Sequence, residues 1–535
     1  MSRGLAATLD FLTKTENEAA ARVLVAALDC PVPAVQEGAL STLLQRRTLS
    51  GGRDILRRMP GMKEPWKAII RLHPGRLTHI LRDALLADDQ PMCNNACLAA
   101  VAFHEYDLIP TLLTALDDPH APNGETAVRT LIELVGLLYE ELAGPRNAAN
   151  RRDPQLIRRH AVSRLELSVQ RFAKHKRREA VECFLLLVGR ENVTLKQILQ
   201  NPYHAAYAAV VDVLAKSLHG GVIRLLLSYL DDPHVPAAAL SVIANRIDLK
   251  FVQYLLRKIG REPSPAVAQN LKRMENIPWL RSGHPLLEQL DDAGQHAAVR
   301  LIMASGMPRA LAFAALEQLL VAGKPAGRRE AARALAEFSG TEANALAMKA
   351  LGDADPQVQA NVIVQLRHRG IPGILPRLLE QINSPHEVVR RAARESLGEF
   401  SFKRFLASFD GLDEEIRRNT AALVRKIDPQ SLPLLQEEMR SPARTRRLRA
   451  VSIARAMAAE HVLEDSLLGL LEDEDHMVRV EAATALARSA TPNSREALKV
   501  ACRDSSEMVR QAAQRSLDEQ AQFNQGREYL FDPRD

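Results

Sequence analysis

MVRVEAATAL, at residues 477–486, decides the fold of this chain, because similar stretches recur about every thirty residues along it. Two of them are VVRRAARESL (388–397) and MVRQAAQRSL (508–517), and each follows a short polar turn. Small and apolar residues return at spacings of three and four within each stretch, which indicates one buried stripe of an α-helix. A fixed period of this length predicts an all-α superhelix, that is, a solenoid of stacked helix pairs.

Each stretch has an anchor position, which we define as the residue directly after the Val, or its equivalent, near the start of the helix. In the C-terminal half the anchors are 27 to 32 residues apart, at Arg300, Arg328, Gln359, Arg390, Arg417, Arg447, Arg479 and Arg510. The N-terminal half is less regular, with anchors at Gln36, Asn94, Arg129, Arg177 and Pro236. We therefore expect about fifteen helix pairs, divided into irregular repeats at 1–283, regular repeats at 284–522 and a tail at 523–535. The irregular part contains a basic insertion near 144–178.

The turns between paired helices carry signals for the start of a helix. Asp or Ser stands directly before Pro at Asp118, Asp232, Asp355, Ser384 and Ser441. Such a side chain can accept the free N–H groups of a new helix, and Pro at the first helical position gives up no hydrogen bond that the helix needs. The sequence therefore predicts that a helix begins at each of these prolines.

A polar turn followed by V-R-x-x-A-x-x-A-L resembles HEAT repeats, in particular the short form that phycobilin lyases and deoxyhypusine hydroxylase also contain. The resemblance covers residues 284–522 well and residues 20–283 more loosely. It implies a protein-binding scaffold in which each anchor arginine pairs with an acidic turn residue. The pairs Asp413/Arg417 and Asp475/Arg479 fit this rule, whereas Gln36, Gln359 and Pro236 depart from it.

Positive charge is concentrated in one segment. Residues 146–178 contain eleven Lys and Arg and two acidic residues, which leaves 60 basic and 63 acidic residues in the rest of the chain. An apolar stripe at Ile157, Ala161, Leu165, Val169 and Phe172 predicts a long amphipathic helix after a loop. The candidate binding residues lie in the loop and on the other faces of the helix: Arg146, Arg151, Arg152, Arg158, Arg159, Arg164, Arg171, Lys174, Lys176 and Arg177.

Two interpretations of this basic segment stay open at this point. It is either a docking surface for an acidic protein, nucleic-acid phosphates or anionic lipid, or a solvated face neutralised by acids such as Glu140 and Glu141. A second basic run, RSPARTRRLR at 440–449, has five bases and no acid, and it is open to the same two interpretations.

The sequence gives no sign of catalysis or of a metal site. It contains no HExxH, no phosphate-binding GxxxxGK[ST] and no GxSxG. Cys93, Cys97 and His104 are spaced along one helix face, but the repeat register places both cysteines in the core. The pairs His104-Glu105 and His386-Glu387 occupy different register positions, which argues against the matched di-iron halves that deoxyhypusine hydroxylase uses. We expect no catalytic residues, no metal and no cofactor.

The leading hypothesis is a non-enzymatic, cytoplasmic scaffold or adaptor that binds an acidic protein partner through its solenoid surface. The scattered cysteines and the lack of an apolar leader favour that location. The sequence has no run of about eighteen apolar residues, which argues against a transmembrane segment. The alternatives are a nucleic-acid-associated HEAT-like protein and a phycobilin-lyase-like enzyme. The tail, with Phe523, Tyr529, Leu530 and Phe531, either caps the last repeat or serves as a motif for a partner.

Overall fold

The computed structural model describes residues 3–117, 123–144, 153–260 and 263–528. These residues form α-helices joined by short turns and single 3-10 turns, and none of them lies in a β-strand. The predicted all-α superhelix of helix pairs is confirmed.

The chain divides into two compact units, Met1–Leu319 and Leu320–Asp535. The helices of the first unit are α1 (Arg3–Lys14), α2 (Ala19–Ala27), α3 (Pro33–Arg46), α4 (Leu49–Arg57), α5 (Glu64–Arg71), α6 (Thr78–Leu86), α7 (Gln90–Ala102), α8 (Ile109–Asp117), α9 (Gly124–Ala143), α10 (Pro154–Gln170), α11 (Phe172–His175), α12 (Arg178–Leu187), α13 (Val193–Gln200), α14 (Tyr207–Lys216), α15 (Gly220–Ser228), α16 (Ala237–Asn245), α17 (Leu249–Ile259), α18 (Pro265–Lys272), α19 (Pro285–Gln289) and α20 (Asp292–Ala304). The division falls within α21 (Arg309–Ala322). The boundary expected at residue 283, which marks where the sequence pattern becomes regular, stays a prediction.

The second unit continues with α22 (Pro325–Ala334), α23 (Thr341–Ala350), α24 (Pro356–Leu366), α25 (Ile374–Gln381), α26 (Glu387–Ser396), α27 (Phe402–Ser408), α28 (Glu414–Ile427), α29 (Ser431–Met439), α30 (Arg444–Ala456), α31 (Glu464–Leu470), α32 (His476–Leu486), α33 (Pro492–Ala501) and α34 (Glu507–Glu528). Within it, α31 pairs with α32 and α33 with α34, while α28, α30, α32 and α34 pack on one another in sequence. In α32, Val478, Ala482 and Leu486 are fully buried. These residues belong to the stripe that the sequence predicted, and the small alanine lets neighbouring helices approach closely.

In the first unit, the stack runs on through the basic segment. The first helices α6, α8 and α10 pack on one another, and so do the second helices α7, α9 and α12. Helix α10 therefore holds the place of an ordinary first helix, with α12 as its pair. The extra sequence length lies between α9 and α10, where residues 145–152 are outside the described ranges, and in the short helix α11.

The predicted helix starts are confirmed at one of the four described Asp-Pro and Ser-Pro turns. Pro356 begins α24, and Asp355 caps it by accepting the N–H of Gln357 at 2.9 Å. The starts expected at Pro233, Pro385 and Pro442 are wrong, because α16, α26 and α30 begin two to four residues later. At these three turns the Asp or Ser also accepts the N–H two residues on, from His234, His386 and Ala443. Since Asp355 makes the same bond at a helix start, this bond closes a turn but does not fix the first residue of the helix. The turn at Asp118 lies outside the described residues.

Anchor side chains hold the turn that precedes their own helix. The guanidinium groups of Arg447, Arg479 and Arg510 donate to the carbonyl oxygen six residues earlier at 2.9, 2.7 and 2.8 Å. The side-chain amides of Gln36 and Gln359 donate in the same way, each at 2.7 Å. Glutamine therefore serves the same purpose as arginine within a repeat, although the sequence pattern suggested a departure.

Three anchor arginines also reach the turn of the following repeat. Arg328 pairs with Asp353 at 3.1 Å, Arg447 with Asp473 at 3.0 Å and Arg479 with Asp504 at 2.9 Å. A ladder of Arg–Asp pairs therefore exists in the second unit, but the partners expected from the sequence are wrong.

Asp475 and Arg417, one from each of the two expected ion pairs, have other partners. Asp475 accepts the N–H groups of Met477 and Val478 as the cap of α32, and its other oxygen pairs with Arg444 at 2.9 Å. Arg417 donates to the carbonyl oxygens of Phe409 and Leu412 and lies over the Phe409 ring. The carboxylate of Asp475 is therefore used to cap its own helix, and the anchor Arg479 pairs with Asp504 instead.

Helix α34 continues to Glu528, so the first residues of the expected tail at 523–535 are helical. Gln520 on this helix is buried and donates to the carbonyl oxygens of Leu486 and Ser489 at 2.8 and 3.1 Å. The side chain of Phe523 and all of Tyr529, Leu530 and Phe531 lie outside the described part of the chain. Both suggested purposes of the tail stay predictions.

Candidate functional site

Helix α10 is the amphipathic helix that the basic segment predicted. Its start is fixed by Asp153, whose carboxylate accepts the N–H of Gln155 at 3.0 Å, and by Pro154 at the first helical position. Ala161, Leu165 and Val169 are buried, and the helix packs on α8, α9 and α12 through this stripe. Ile157 and Phe172, at the two ends of the stripe, are half-buried.

A buried histidine holds the turn from α11 to α12. The Nε2 atom of His175 lies 2.9 Å from the carbonyl oxygen of Ser168, to which it donates, and Nδ1 accepts the N–H of Arg177 at 2.9 Å. Between them Lys176 adopts a left-handed conformation with φ of 53°, which ends α11. The basic residues on either side of this turn are therefore carried on a fixed backbone.

Two of the predicted binding residues form bonds within the protein. Arg158 donates from Nε to the carbonyl oxygen of Leu187 at 2.7 Å, at the C-terminal end of α12. Arg177 donates to the carboxylate of Glu125 at 2.7 Å, which ties it to the start of α9. Both side chains are partly buried and tie neighbouring helices of the stack together, so neither belongs to the exposed basic surface.

Five predicted residues are exposed: Arg159, Arg164, Arg171, Lys174 and Lys176. The side chains of Arg159, Arg164, Lys174 and Lys176 have no hydrogen-bond or ion-pair partner among the described residues. Arg146, Arg151 and Arg152 lie outside the described part of the chain. We name the exposed surface of α10 and α11 the basic face and define it by Arg159, Arg164, Lys174 and Lys176.

One of the acids that could neutralise the basic face is occupied elsewhere. Glu141 accepts from Nδ1 of His104 at 2.6 Å. Glu141 forms no ion pair with Arg159, Arg164, Lys174 or Lys176. Glu140 is exposed at the end of α9.

Two leucines interrupt the basic face. Leu156 and Leu167 are 50% and 43% exposed. At 100° per residue they point about 20° apart and lie about 16 Å apart along α10. Arg159 lies on one side of this leucine pair and Arg164 on the other. The surface therefore offers apolar contact area between two cationic edges.

The second basic run, in contrast, is largely neutralised. Four of its five arginines form ion pairs with acids on neighbouring elements: Arg444 with Asp475, Arg446 with Glu438, Arg447 with Asp473 and Arg449 with Asp410. The hydrogen bond from Arg446 lowers the pKa of Glu438 below its ordinary value, so this acid is ionised at neutral pH. The docking interpretation of residues 440–449 loses its support.

The residues considered as metal ligands contribute to the packing and hydrogen bonding of the fold. Cys93 and Cys97 are buried in α7, as the repeat register predicted. The Glu105 carboxylate is buried and accepts from the N–H of Gly75 and the hydroxyl of Thr78 at 2.9 and 2.8 Å. Within the described ranges, no group of three or more His, Cys, Asp or Glu residues is arranged to hold a metal ion. None of the described helices is both long and apolar enough to cross a membrane.

The class of protein that this architecture defines is an α-solenoid of stacked helix pairs. Residues 313–398 and 432–518 match the family model described as HEAT repeats. The chain therefore contains HEAT repeats, as its sequence pattern predicted.

Several solved structures resemble the chain at low identity. The Kap95:Nup1 complex matches at 14% identity over 96% of this chain and 82% of that chain, with a TM-score of 0.25. A structure concerned with the interaction between cadherin and beta-catenin matches at 14% identity over 94% and 99%, with a TM-score of 0.27. The Pds5–Scc1 complex matches at 15% over 94% and 74%, with a TM-score of 0.24. Identities and TM-scores this low carry no conclusion about function. A search of curated proteins found no match.

Proposed function

We propose that the protein is a non-enzymatic scaffold that binds an acidic, leucine-containing segment of a protein partner on the basic face. The observation that carries this proposal is a set of four exposed cations without side-chain partners. Arg159 and Arg164 lie on α10, whose other side is firmly buried, and Lys174 and Lys176 lie on α11 and at its C-cap. The fixed backbone matters because a segment that is already ordered loses less entropy on binding than a disordered one.

The leucine pair supports a protein partner over nucleic acid. A duplex gripped along a solenoid needs cations on successive repeats. The second basic run could supply them only if it were free, and four of its five arginines are paired with acids. Exposed Leu156 and Leu167 would contact apolar side chains of a partner while the flanking cations meet its carboxylates. No cluster of described residues supports a phycobilin-lyase-like activity.

We place this binding in the cytoplasm. All five cysteines are free thiols, although Cys30 and Cys502 are not fully buried. A reducing compartment keeps such thiols unpaired.

The test compares a charge-reversed protein with a matched control. The test variant carries Arg159→Glu, Arg164→Glu, Lys174→Glu and Lys176→Glu. The control reverses four exposed bases that have no partner in the described part of the chain: Arg82→Glu, Arg257→Glu, Lys403→Glu and Arg515→Glu. Both proteins have the same net charge, so only the position of the reversed charges differs between them.

The probes are fluorescent synthetic peptides of Glu and Leu, the same peptides with Ser in place of Leu, and a random-sequence DNA duplex. At about 50 mM salt we expect the Glu–Leu peptide to bind best and the test variant to lose at least about tenfold in affinity, with the control close to the original protein. Equal losses in both variants would show that net charge alone matters and would refute the proposal. Stronger binding of the duplex, lost in the test variant, would replace it with the nucleic-acid alternative.

A further inference from the structure

A pocket of about 340 Å³ lies in the first unit, between the end of α9, the start of α10, the end of α12 and helix α15. Three arginines line it, Arg158, Arg190 and Arg224, and none of the lining residues is acidic. Leu142, Leu186 and Leu225 provide apolar walls. Arg158 belongs to the basic segment, whereas Arg190 and Arg224 lie outside it and were not candidates from the sequence.

Two of the three arginines are held in place by carbonyl groups at helix ends. Arg158 uses Nε for the carbonyl oxygen of Leu187, and its two Nη groups have no hydrogen-bond partner in the described part of the chain. Arg190 donates from Nη1 to the carbonyl oxygen of Ser228 at 2.8 Å and from Nε to Glu191 at 2.9 Å, and its Nη1 also lies 3.4 Å from the carboxylate of Asp231. Its charge is therefore paired with acids outside the pocket lining. Orienting bonds of this kind leave the remaining N–H groups available for a ligand.

The third arginine is unpaired. Arg224 is exposed, forms no ion pair with a described residue, and its guanidinium carbon lies 5.7 Å from the centre of the Tyr139 ring. This contact orients the side chain without using its N–H groups.

Tyr139 adds a buried polar atom to the same wall. Its hydroxyl has no hydrogen-bond partner among the described residues. The ring lies against Gly221 so closely that a Cβ there would meet its Cε2 atom at 2.7 Å. His219 contacts the ring edge-on, with centroids 5.3 Å apart. The wall is therefore tightly packed around a buried hydroxyl that no described residue satisfies.

We infer that this pocket binds the phosphate group of a phosphomonoester. Guanidinium groups recognise oxyanions with paired, planar hydrogen bonds, and the two without an acidic partner, Arg158 and Arg224, match the charge of a phosphate dianion better than that of a carboxylate. The leucine walls suit a short organic stem attached to the phosphate. The same chemistry is presented by a free phosphorylated metabolite and by a phosphoserine of a protein partner. The site does not depend on the basic face, because none of the four residues that define that face lines it.

The test measures binding of inorganic phosphate, free phosphoserine and a short phosphoserine peptide by calorimetry and ³¹P NMR at constant ionic strength. Arg224→Gln removes a cation that has no hydrogen bond or ion pair to a described residue and only a long contact with the Tyr139 ring, so the variant should unfold close to the temperature of the original protein. We expect it to weaken binding of all three probes by about tenfold. Arg82→Gln, which removes an exposed charge far along the sequence on α6, should leave binding unchanged.

Phosphoserine and its peptide binding equally well would support a metabolite as the source, and tighter binding of the peptide would support a protein partner. Three results would overturn the inference: no probe binds at millimolar concentration, Arg224→Gln binds as well as the original protein, or Arg82→Gln weakens binding to the same extent. Because the basic-face variants keep Arg158, Arg190 and Arg224, failure of that proposal leaves this one standing, and the reverse also holds.

Discussion

Arg479 and Asp504 join two consecutive HEAT repeats, because the guanidinium of Arg479 holds the turn of its own repeat and the carboxylate of the next one. It donates to the carbonyl oxygen of Asp473 at 2.7 Å and to Asp504 at 2.9 Å. Asp504 in turn accepts the N–H of Ser506 at 2.7 Å, and its carbonyl oxygen accepts from Arg510. Each turn aspartate is thus bound by the anchors of two repeats, which makes these arginines a source of coupling between neighbours as well as of local stability.

Removing the Arg479 side-chain charge should loosen this junction. We expect Arg479→Met to lower the free energy of unfolding by about 1–2 kcal/mol, since a partly buried carboxylate and a turn carbonyl lose a charge-assisted hydrogen bond together. Urea denaturation measures the loss. Arg515→Met on α34, an exposed arginine without a partner among the described residues, is the control and should stay within about 0.5 kcal/mol of the original protein. Equal destabilisation by both changes would contradict the junction.

The same pair predicts how stability depends on pH. The hydrogen bond from Arg479 holds the pKa of Asp504 below its ordinary value in the folded protein. A carboxylate with a lowered folded pKa contributes stability that is complete above its unfolded pKa of about 3.9 and is lost as the pH falls through the folded pKa. The stability difference between the original protein and Arg479→Met should therefore be constant at neutral pH and shrink on acidification below about pH 4. Denaturation curves at stepped pH values check this, and a difference that persists unchanged into acid would speak against it.

The repeat and its buried stripe were predictable from the sequence, but the partners of the anchors were not. Asp475 stands four residues before Arg479, so both lie on one helix face, and the sequence therefore favoured that pair. The structure uses Asp475 to cap α32 and takes the ion-pair partner, Asp504, from the next repeat. The turn geometry decides which of two nearby acids accepts backbone N–H groups. Residue spacing carries no information about this choice.

The candidate site was likewise predictable from the sequence only in part. The stripe of α10 followed from spacing, and spacing could also have shown that Arg158 is not on the outer face, since it lies three and seven residues before the buried Ala161 and Leu165. The bond of Arg177 to Glu125 joins residues 52 positions apart and had no local signal. Tyr139, Arg190 and Arg224 meet only because three successive layers of the stack bring them together. No motif could have pointed to their pocket.

Among the residues of the pocket wall, Gly221 should be the least tolerant of substitution. A Cβ at this position would lie 2.4 Å from Cδ1 of Leu186 and 2.7 Å from Cε2 of Tyr139. We expect Gly221→Ala to destabilise the protein by about 1–3 kcal/mol through overpacking and to weaken phosphate binding, because the Tyr139 ring must move. Thermal unfolding followed by circular dichroism measures the first effect.

The neighbouring glycine supplies the control for that substitution. A Cβ at Gly220 would meet nothing within 4 Å, although the residue lies in the same turn of α15. Gly220→Ala should be neutral or stabilising by up to about 1 kcal/mol, since alanine restricts the unfolded chain. Similar melting temperatures for the two variants would show that the wall is looser than its distances indicate.

The cysteines should separate into two reactivity classes. Cys93, Cys97 and Cys183 are buried, whereas Cys30 and Cys502 are partly exposed. Burial also raises the pKa of the Cys183 thiol, which suppresses the reactive thiolate. In the native protein a disulfide reagent such as dithionitrobenzoate should therefore titrate two thiols quickly. The other three should react at least about a hundredfold more slowly, at a rate set by local opening of the helix stack. Adding denaturant should release all five at one rate.

The variant Cys30→Ser, Cys502→Ser isolates the buried class. A fast phase that survives in this variant would mean that α7 or α12 opens far more readily than its packing indicates.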